Sequence, residues 1–198
     1  MELTHEARKA LRETDWNLNV RDEFKGMNVG EVQTILSSRR NGFEILFENA
    51  LRDFNFGGIV RASNGFCCSH IMYTGFRRYD PRGSVGTKHY EHINHVPRRE
   101  DFIEYIKNGQ KQGIPFIVAE YVNEDSEFFS KQQPLPDFKW SENCMVMFGE
   151  EGTGVAHDLM ELSDNVVYVP MFGSVRSFNV ASTAHMFMYD YMVKTGRM

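Results

Sequence analysis

The chain has 198 residues, 41% of them hydrophobic and 25% charged, with a formal net charge of −5. That length carries one domain with a sizeable core, and the composition is that of a globular chain without repeats or low-complexity tracts. No apolar run approaches the ~20 residues that span a bilayer, and the charged start "MELTHEARKALRET" lacks the apolar centre of a signal peptide, so a cytoplasmic protein is expected. The acidic balance also argues against indiscriminate coating of nucleic acid.

Residues 1–42 hold two helical patterns, "THEARKALRET" and "MNVGEVQTILSSRR", the second with Val29, Val32 and Leu36 at helical spacing. They read as a short N-terminal extension, followed by a domain over 43–198. "FEILFENA" alternates and is rich in Phe and Ile, which predicts a strand. "NFGGIVRASNGF" follows, with Asn55 closing the strand and paired glycines opening a helix that carries Arg61. Next comes "SHIMYTG", a second strand beside the adjacent Cys67 and Cys68; with Cys144 far away, the three cysteines read as reduced, mostly buried thiols. Residues 76–96 read as a long polar loop. His89, His92 and His95 recur there every third position without completing a metal-ligand spacing, so no metal is expected. "REDFIEYIKNG" predicts an amphipathic helix ended by Gly109, and "PFIVAEY" a third strand. After an irregular connection come a buried strand over 144–148, the Gly-rich turn "GEEGTG", a helix, the last strand "NVVYVPMFG" and a final helix. Strands alternating with helices predict an α/β fold, a parallel sheet flanked by helices on both faces.

In such sheets ligands bind outside the carboxyl ends of the strands. Three segments there stand out. In "NFGGIVR", Arg61 is either a surface cation or an arginine facing a bound anion. "GEEGTG" has the order GxxGxG rather than the dinucleotide GxGxxG, and no P-loop occurs anywhere. Its glycines permit close backbone approach to a flat ligand, and Glu150 and Glu151 can accept hydrogen bonds. "SVRSFNVAST" crowds Ser174, Arg176, Ser177 and Asn179 at a strand-to-helix junction. A helix N-cap accounts for Ser177 or Asn179, not for all four. Basic clusters at Arg39–Arg40, "FRRYDPR" and "PRRE" are either solvated loop charges or phosphate contacts.

Taken together, "NFGGIVRAS", "FGEEGTG" and "VPMFGSVRSFNVASTA" resemble, in order, the three motifs of the SpoU or TrmH branch of the SPOUT RNA ribose 2′-O-methyltransferases. The resemblance covers residues 43–195. It implies a sheet whose C-terminal part is tied in a trefoil knot, S-adenosylmethionine as cofactor, and a homodimer through the C-terminal helix. It further implies that Gly149, Val169, Phe178 and the neighbouring Met171 hold the cofactor. Asn55, Arg61, Glu151, Ser177 and Asn179 match the family's polar active-site set. Glu150 stands where Asn is common. The expected reaction is methyl transfer to a ribose 2′-hydroxyl of a structured RNA, with tRNA ahead of rRNA; a catalytically silent RNA- or cofactor-binding module is the alternative. Since an always-protonated guanidinium is a poor base, Arg61 is expected to bind a phosphate and orient the hydroxyl. RNA would be held by the 76–96 loop, through Arg77, Arg78, Arg82 and Lys88 on phosphates and Tyr79 and Tyr90 on bases.

Overall fold

Strand β1 (Phe43–Asn49) is buried on both faces, sending Phe43, Ile45 and Phe47 into one hydrophobic cluster and Leu46 into another. Such two-sided burial requires a layer on each side of the sheet. The computed structural model, which describes residues 20–49, 54–150 and 152–198, has both layers. The strands are β1, β2 (Ile71–Gly75), β3 (Ile93–His95), β4 (Phe116–Ala119), β5 (Gln132–Pro134), β6 (Cys144–Phe148) and β7 (Asn165–Tyr168). They form one sheet in the order β3-β2-β1-β6-β4-β7-β5, and every pairing is parallel.

The helices are α1 (Val29–Arg39), α2 (Phe54–Phe66), α3 (Arg99–Lys111), α4 (His157–Leu162) and α5 (Val180–Lys194). Phe56 and Ile59 of α2 and Phe187 and Tyr191 of α5 pack with Phe43, Phe47, Val146 and Phe148 on one face. Phe102 and Ile106 of α3 and Leu159 of α4 pack with Leu46, Met145 and Met147 on the other. β6 alternates as β1 does, so one strand feeds both layers. Cys68 and Cys144 are buried and Cys67 half-buried, and all three are outside any disulfide.

Two compact units divide at Arg39/Arg40. In the first, Asn28 and Glu31 cap α1 reciprocally: the Glu31 N–H donates to Asn28 Oδ1 at 3.1 Å and the Asn28 N–H to Glu31 Oε2 at 2.8 Å. Arg39 there pairs with Glu23 at 3.0 Å. The pattern "THEARKALRET" lies outside the described residues. The second unit, Arg40–Met198, holds the whole sheet.

Several expectations are corrected. The 76–96 segment is not a plain loop: it holds two 3-10 turns, Pro81–Ser84 and Thr87–His89, and the edge strand β3. The connection after β4 likewise contributes β5. Gly109 lies inside α3 against the Met145 side chain, and the turn out of the helix falls at Gly113, with φ +81°. The last strand stops at Tyr168, leaving "VPMFG" as loop.

Polar residues at the C-terminal end of α2 fix the 76–96 segment to the body. Glu91 accepts from Arg40 at 3.0 Å, from Ser63 Oγ at 2.8 Å and from Asn64 Nδ2 at 2.9 Å. Arg40 also donates to the carbonyls of Cys68 and Tyr90, at 2.7 and 2.8 Å. The Arg40 and Glu91 side chains are only 8% and 1% exposed, so Arg40 is a structural cation. α2 ends in a Schellman motif, with Cys68 N–H on Ser63 O at 3.0 Å and Cys67 N–H on Asn64 O at 3.2 Å. The residue at the left-handed position is Cys67, φ +53°, where glycine is usual.

Candidate active site

A cleft of about 410 Å³ opens at the carboxyl ends of β4, β6 and β7. That volume suits a nucleoside-sized ligand. Ala119, Glu120 and Tyr121 line it from β4 and just beyond, Phe148, Gly149 and Glu150 from β6, and Val167, Tyr168, Val169 and Met171 from β7 and the loop after it. Arg176, Ser177 and Phe178 close one side, and Val180, Thr183 and Phe187 of α5 form the back wall.

The "GEEGTG" segment folds tightly because its ends meet. Glu150 and Gly154 exchange backbone hydrogen bonds at 3.0 and 3.2 Å. A Cβ at Gly149 would stand 2.5 Å from the Gly154 carbonyl carbon, so only glycine permits this contact and the backbone it bares to the cleft. Glu120 lies beneath the turn, its Oε1 accepting from the Tyr121 N–H at 3.1 Å and its Oε2 from the Val155 N–H at 3.3 Å. Burial pushes its carboxyl pKa up, against the lowering by those two N–H groups.

Asn179 answers the capping question in "SVRSFNVAST". It is the N-cap of α5, accepting from the N–H groups of Ala181 at 3.0 Å and Ser182 at 3.3 Å. Its Nδ2 simultaneously donates to Asn55 Oδ1 at 2.8 Å. Asn55 does not close a strand, as the sequence predicts, but sits in the first turn of α2. The paired glycines are likewise inside that helix: a Cβ at Gly58 would meet the Ala181 Cβ at 3.0 Å, so α2 and α5 approach closely there. The first and third motifs are thus joined by a side-chain hydrogen bond and a close helix contact.

Of the residues singled out from sequence, Gly149, Val169, Met171, Phe178 and Ser177 come together as lining of one cleft. Asn55 and Asn179 form their pair at the meeting of α2 and α5. Arg61 is exposed two turns along α2 and is not among the lining residues. Glu151 lies outside the described residues. Sequence reading missed Glu120, Tyr121 and Thr183, and left Arg176 open; Arg176 lines the cleft. The position of Glu120 directly after the strand "PFIVA" marks it only as a strand-end acid, and its place in the cleft emerges from the fold.

Nearer the β3 edge, Tyr73, Arg77, Ile93, Asn94, His95 and Pro97 line a second hollow of about 500 Å³. The loop above it is fixed through its backbone. Tyr73 Oη donates to the Arg77 carbonyl at 2.8 Å, and Asn49 Nδ2 to the carbonyls of Phe76 and Arg78 at 2.6 and 3.1 Å. Arg77 and Arg78 are exposed. Other cations are engaged: Arg82 with Asp80 at 2.9 Å, and Arg99 with Glu48 at 2.8 Å and with Asp158. Among the described residues no ion pair holds Arg61, Arg77, Arg78, Lys88 or Arg176. Tyr79, expected to stack on a base, packs its ring against Phe56 at 4.4 Å instead. His95 is engaged in the fold, sharing a hydrogen bond with the Gly75 carbonyl at 2.9 Å, and among the described residues no cluster of metal-ligating groups occurs.

The model of the SpoU rRNA Methylase family matches residues 42–189 of the chain. The chain belongs to this family. The match takes in β1 through most of α5, and so every segment that lines the cleft. Among individual relatives, a 23S rRNA (uridine(2479)-2′-O)-methyltransferase of Streptomyces viridochromogenes is 24% identical over 77% of this chain and 53% of its own length. A tRNA (guanosine(18)-2′-O)-methyltransferase of Aquifex aeolicus is 22% identical over 80% of this chain and 72% of its own. The chain therefore spans about half of the Streptomyces relative and most of the Aquifex one. Its fold is similar to the crystal structure of the A. aeolicus TrmH/SpoU tRNA modifying enzyme, with a TM-score of 0.69 at 17% identity over 85% of this chain and 83% of that one. It is also similar to the S. viridochromogenes SpoU methyltransferase AviRb in complex with the cofactor AdoMet, with a TM-score of 0.65 at 20% identity over 98% and 80% of the two chains.

Proposed function

We propose that this chain is an S-adenosylmethionine-dependent RNA methyltransferase that methylates a ribose 2′-hydroxyl of a structured RNA, tRNA ahead of rRNA. The observation that carries this reading is the gathering of Gly149, Val169, Met171, Ser177 and Phe178 around one cleft in a SpoU-family chain. The cleft suits the cofactor in its own chemistry: Phe148, Val167 and Val180 offer apolar surface to an adenine, and the bared backbone at Gly149 offers hydrogen bonds to its edge. S-adenosylmethionine supplies, when bound, an activated methyl group.

The chain's own side chains then have to hold the acceptor. Positioning alone can supply roughly 7–11 kcal/mol of barrier lowering in well-oriented systems. Arg61, exposed and unpaired by any described acid, binds the phosphate beside the target nucleotide and orients and acidifies the 2′-hydroxyl. The Asn55–Asn179 pair ties α2, which carries Arg61, to the start of α5, and Ser177, two residues before Asn179, lines the cleft. Glu151 belongs to the same polar set by its place in the second motif.

Arg77, Arg78 and Lys88, with no ion pair to neutralise them, supply phosphate contacts along the β2–β3 edge, and Arg82 does so in competition with Asp80. The hollow beneath Arg77 provides room for an unpaired base. The enzyme works as a homodimer through α5, a reading supported by exposed Tyr189 and Val193 on that helix. The segment from Gly149 to α5 carries the trefoil knot of the SPOUT fold, residues 43–198 being the methyltransferase domain and 1–42 an extension, in the cytoplasm. The test is transfer of labelled methyl from S-adenosylmethionine to bulk RNA, followed by nucleoside analysis. Label in a 2′-O-methylated nucleoside is expected; binding of cofactor and RNA without transfer would instead establish the silent module.

A further inference from the structure

Glu120 belongs to none of the three family motifs, yet its carboxylate lies in the cleft. It is held from behind by the N–H groups of Tyr121 and Val155, one on each oxygen, at 3.1 and 3.3 Å. Gly154 presses on it from the turn, since a Cβ there would come within 2.6 Å of Oε2. No cation pairs with it among the described residues, and Arg176, on the same cleft, forms no ion pair with it. A half-buried carboxylate without a cation is costly, and burial raises its pKa accordingly. Each oxygen has accepting capacity left beyond its single backbone hydrogen bond. The result is a fixed, two-oxygen acceptor edge in a cleft lined besides by Glu150, Arg176, Ser177 and Thr183 and by apolar and backbone surface.

We infer that Glu120 is a specificity-determining residue for the nucleoside half of the cofactor, accepting hydrogen bonds from the two vicinal hydroxyls of its ribose. This rests on the reading that the cleft holds S-adenosylmethionine. Among the groups of that molecule, the diol is the best match. It offers two adjacent donors and no negative charge, and an acidic side chain after a strand is a general solution for ribose hydroxyls in α/β folds. The sulfonium offers no donor, and the methionine ammonium brings its own carboxylate, which Glu120 would repel. Glu120 thus rejects nucleosides lacking either hydroxyl, because a partly desolvated carboxylate is left without its donor.

Calorimetry with S-adenosylhomocysteine and with its 2′-deoxy and 3′-deoxy forms tests this on the intact chain. Wild type is expected to bind the ribose form about tenfold to a hundredfold more tightly than either deoxy form, the range of one charged hydrogen bond. Glu120→Ala should bind all three alike, and the isosteric Glu120→Gln should show a reduced preference, which keeps the test decisive if the alanine variant unfolds. Equal binding of the three ligands by wild type, or an undiminished preference in Glu120→Gln, overturns the inference while leaving the cofactor reading in place. Failure of wild type to bind S-adenosylhomocysteine at all overturns both.

Discussion

Helix α2 has two polar ends built from similar residues to opposite purposes. At its C-terminal end Ser63 and Asn64 join Arg40 around Glu91, with one bond from each at 2.8–3.0 Å, and the two charged side chains are almost wholly buried. At its N-terminal end Asn55 meets Asn179 in the open, and midway along the helix Arg61 faces solvent with no acid to hold it among the described residues. Both arginines follow or precede polar, glycine-rich sequence, and neither reveals its role by type. What separates them is engagement by the fold. A buried cation held by acceptors on both terminal nitrogens, as Arg40 is, belongs to the framework, whereas an exposed cation without an ion pair keeps its donors for a phosphate.

The largest effect expected from this contrast is on folding. Glu91→Ala leaves Arg40 buried without its partner and should cost about 3–5 kcal/mol, a loss of roughly 6–20 °C in melting temperature. Arg61→Ala, by contrast, should melt as wild type does and bind S-adenosylhomocysteine unchanged while kcat/KM for RNA falls by about a hundredfold or more. If the two phenotypes were exchanged, the distinction between the buried and the exposed arginine would collapse. Asn179 sharpens the comparison because it caps α5 and also bonds Asn55. Asn179→Ala should cost about 1 kcal/mol of stability as a lost cap, while Asn179→Asp keeps the acceptor, keeps the stability and still loses turnover, because only the donor to Asn55 is gone.

Two smaller effects follow. Cys67→Gly relieves a left-handed backbone position at the framework end and should stabilise by about 1 kcal/mol in denaturant unfolding, without touching activity. Glu120 supplies a pH signature. Because burial raises its carboxyl pKa above the ordinary 4.5, the folded chain binds that proton more tightly than the unfolded one. This group's contribution is therefore fully present below pH 4.5 and lost as pH rises through the folded value. Glu120→Gln should melt slightly above wild type at neutral pH, with the difference shrinking as pH falls toward 4.5.

Much of the framework was legible in the sequence because doubly buried strands such as 43–49 and 144–148 are continuous apolar runs bounded by turns. β3 and β5 were not: each has three residues, sits on a sheet edge and carries polar side chains such as Asn94 and Gln133, so neither shows periodicity. The site divided in the same way. The segments around the cleft could be picked out because glycine and polar side chains are out of place directly after strands, whereas Val169, Met171 and Phe178 came only through the family resemblance. Glu120 escaped because nothing in "FIVAEY" distinguishes a carboxylate turned into a cleft from a strand-end surface acid. Arg40 and Arg99 resembled phosphate ligands because their acids, Glu91 and Asp158, are 51 and 59 residues away in the chain. The role of Tyr79 likewise depended on where Phe56 lies, which only the packing of α2 decides.

The central claim is that this chain, through the cleft and Arg61 of α2, methylates a ribose hydroxyl of RNA. Mapping 2′-O-methylation across total RNA from cells with the gene, without it, and with Arg61→Ala in its place addresses that claim in one experiment. The account predicts at least one ribose position, in tRNA before rRNA, whose methylation disappears without the gene and is not restored by the Arg61→Ala chain. Identical ribose methylation in all three RNA samples would contradict it.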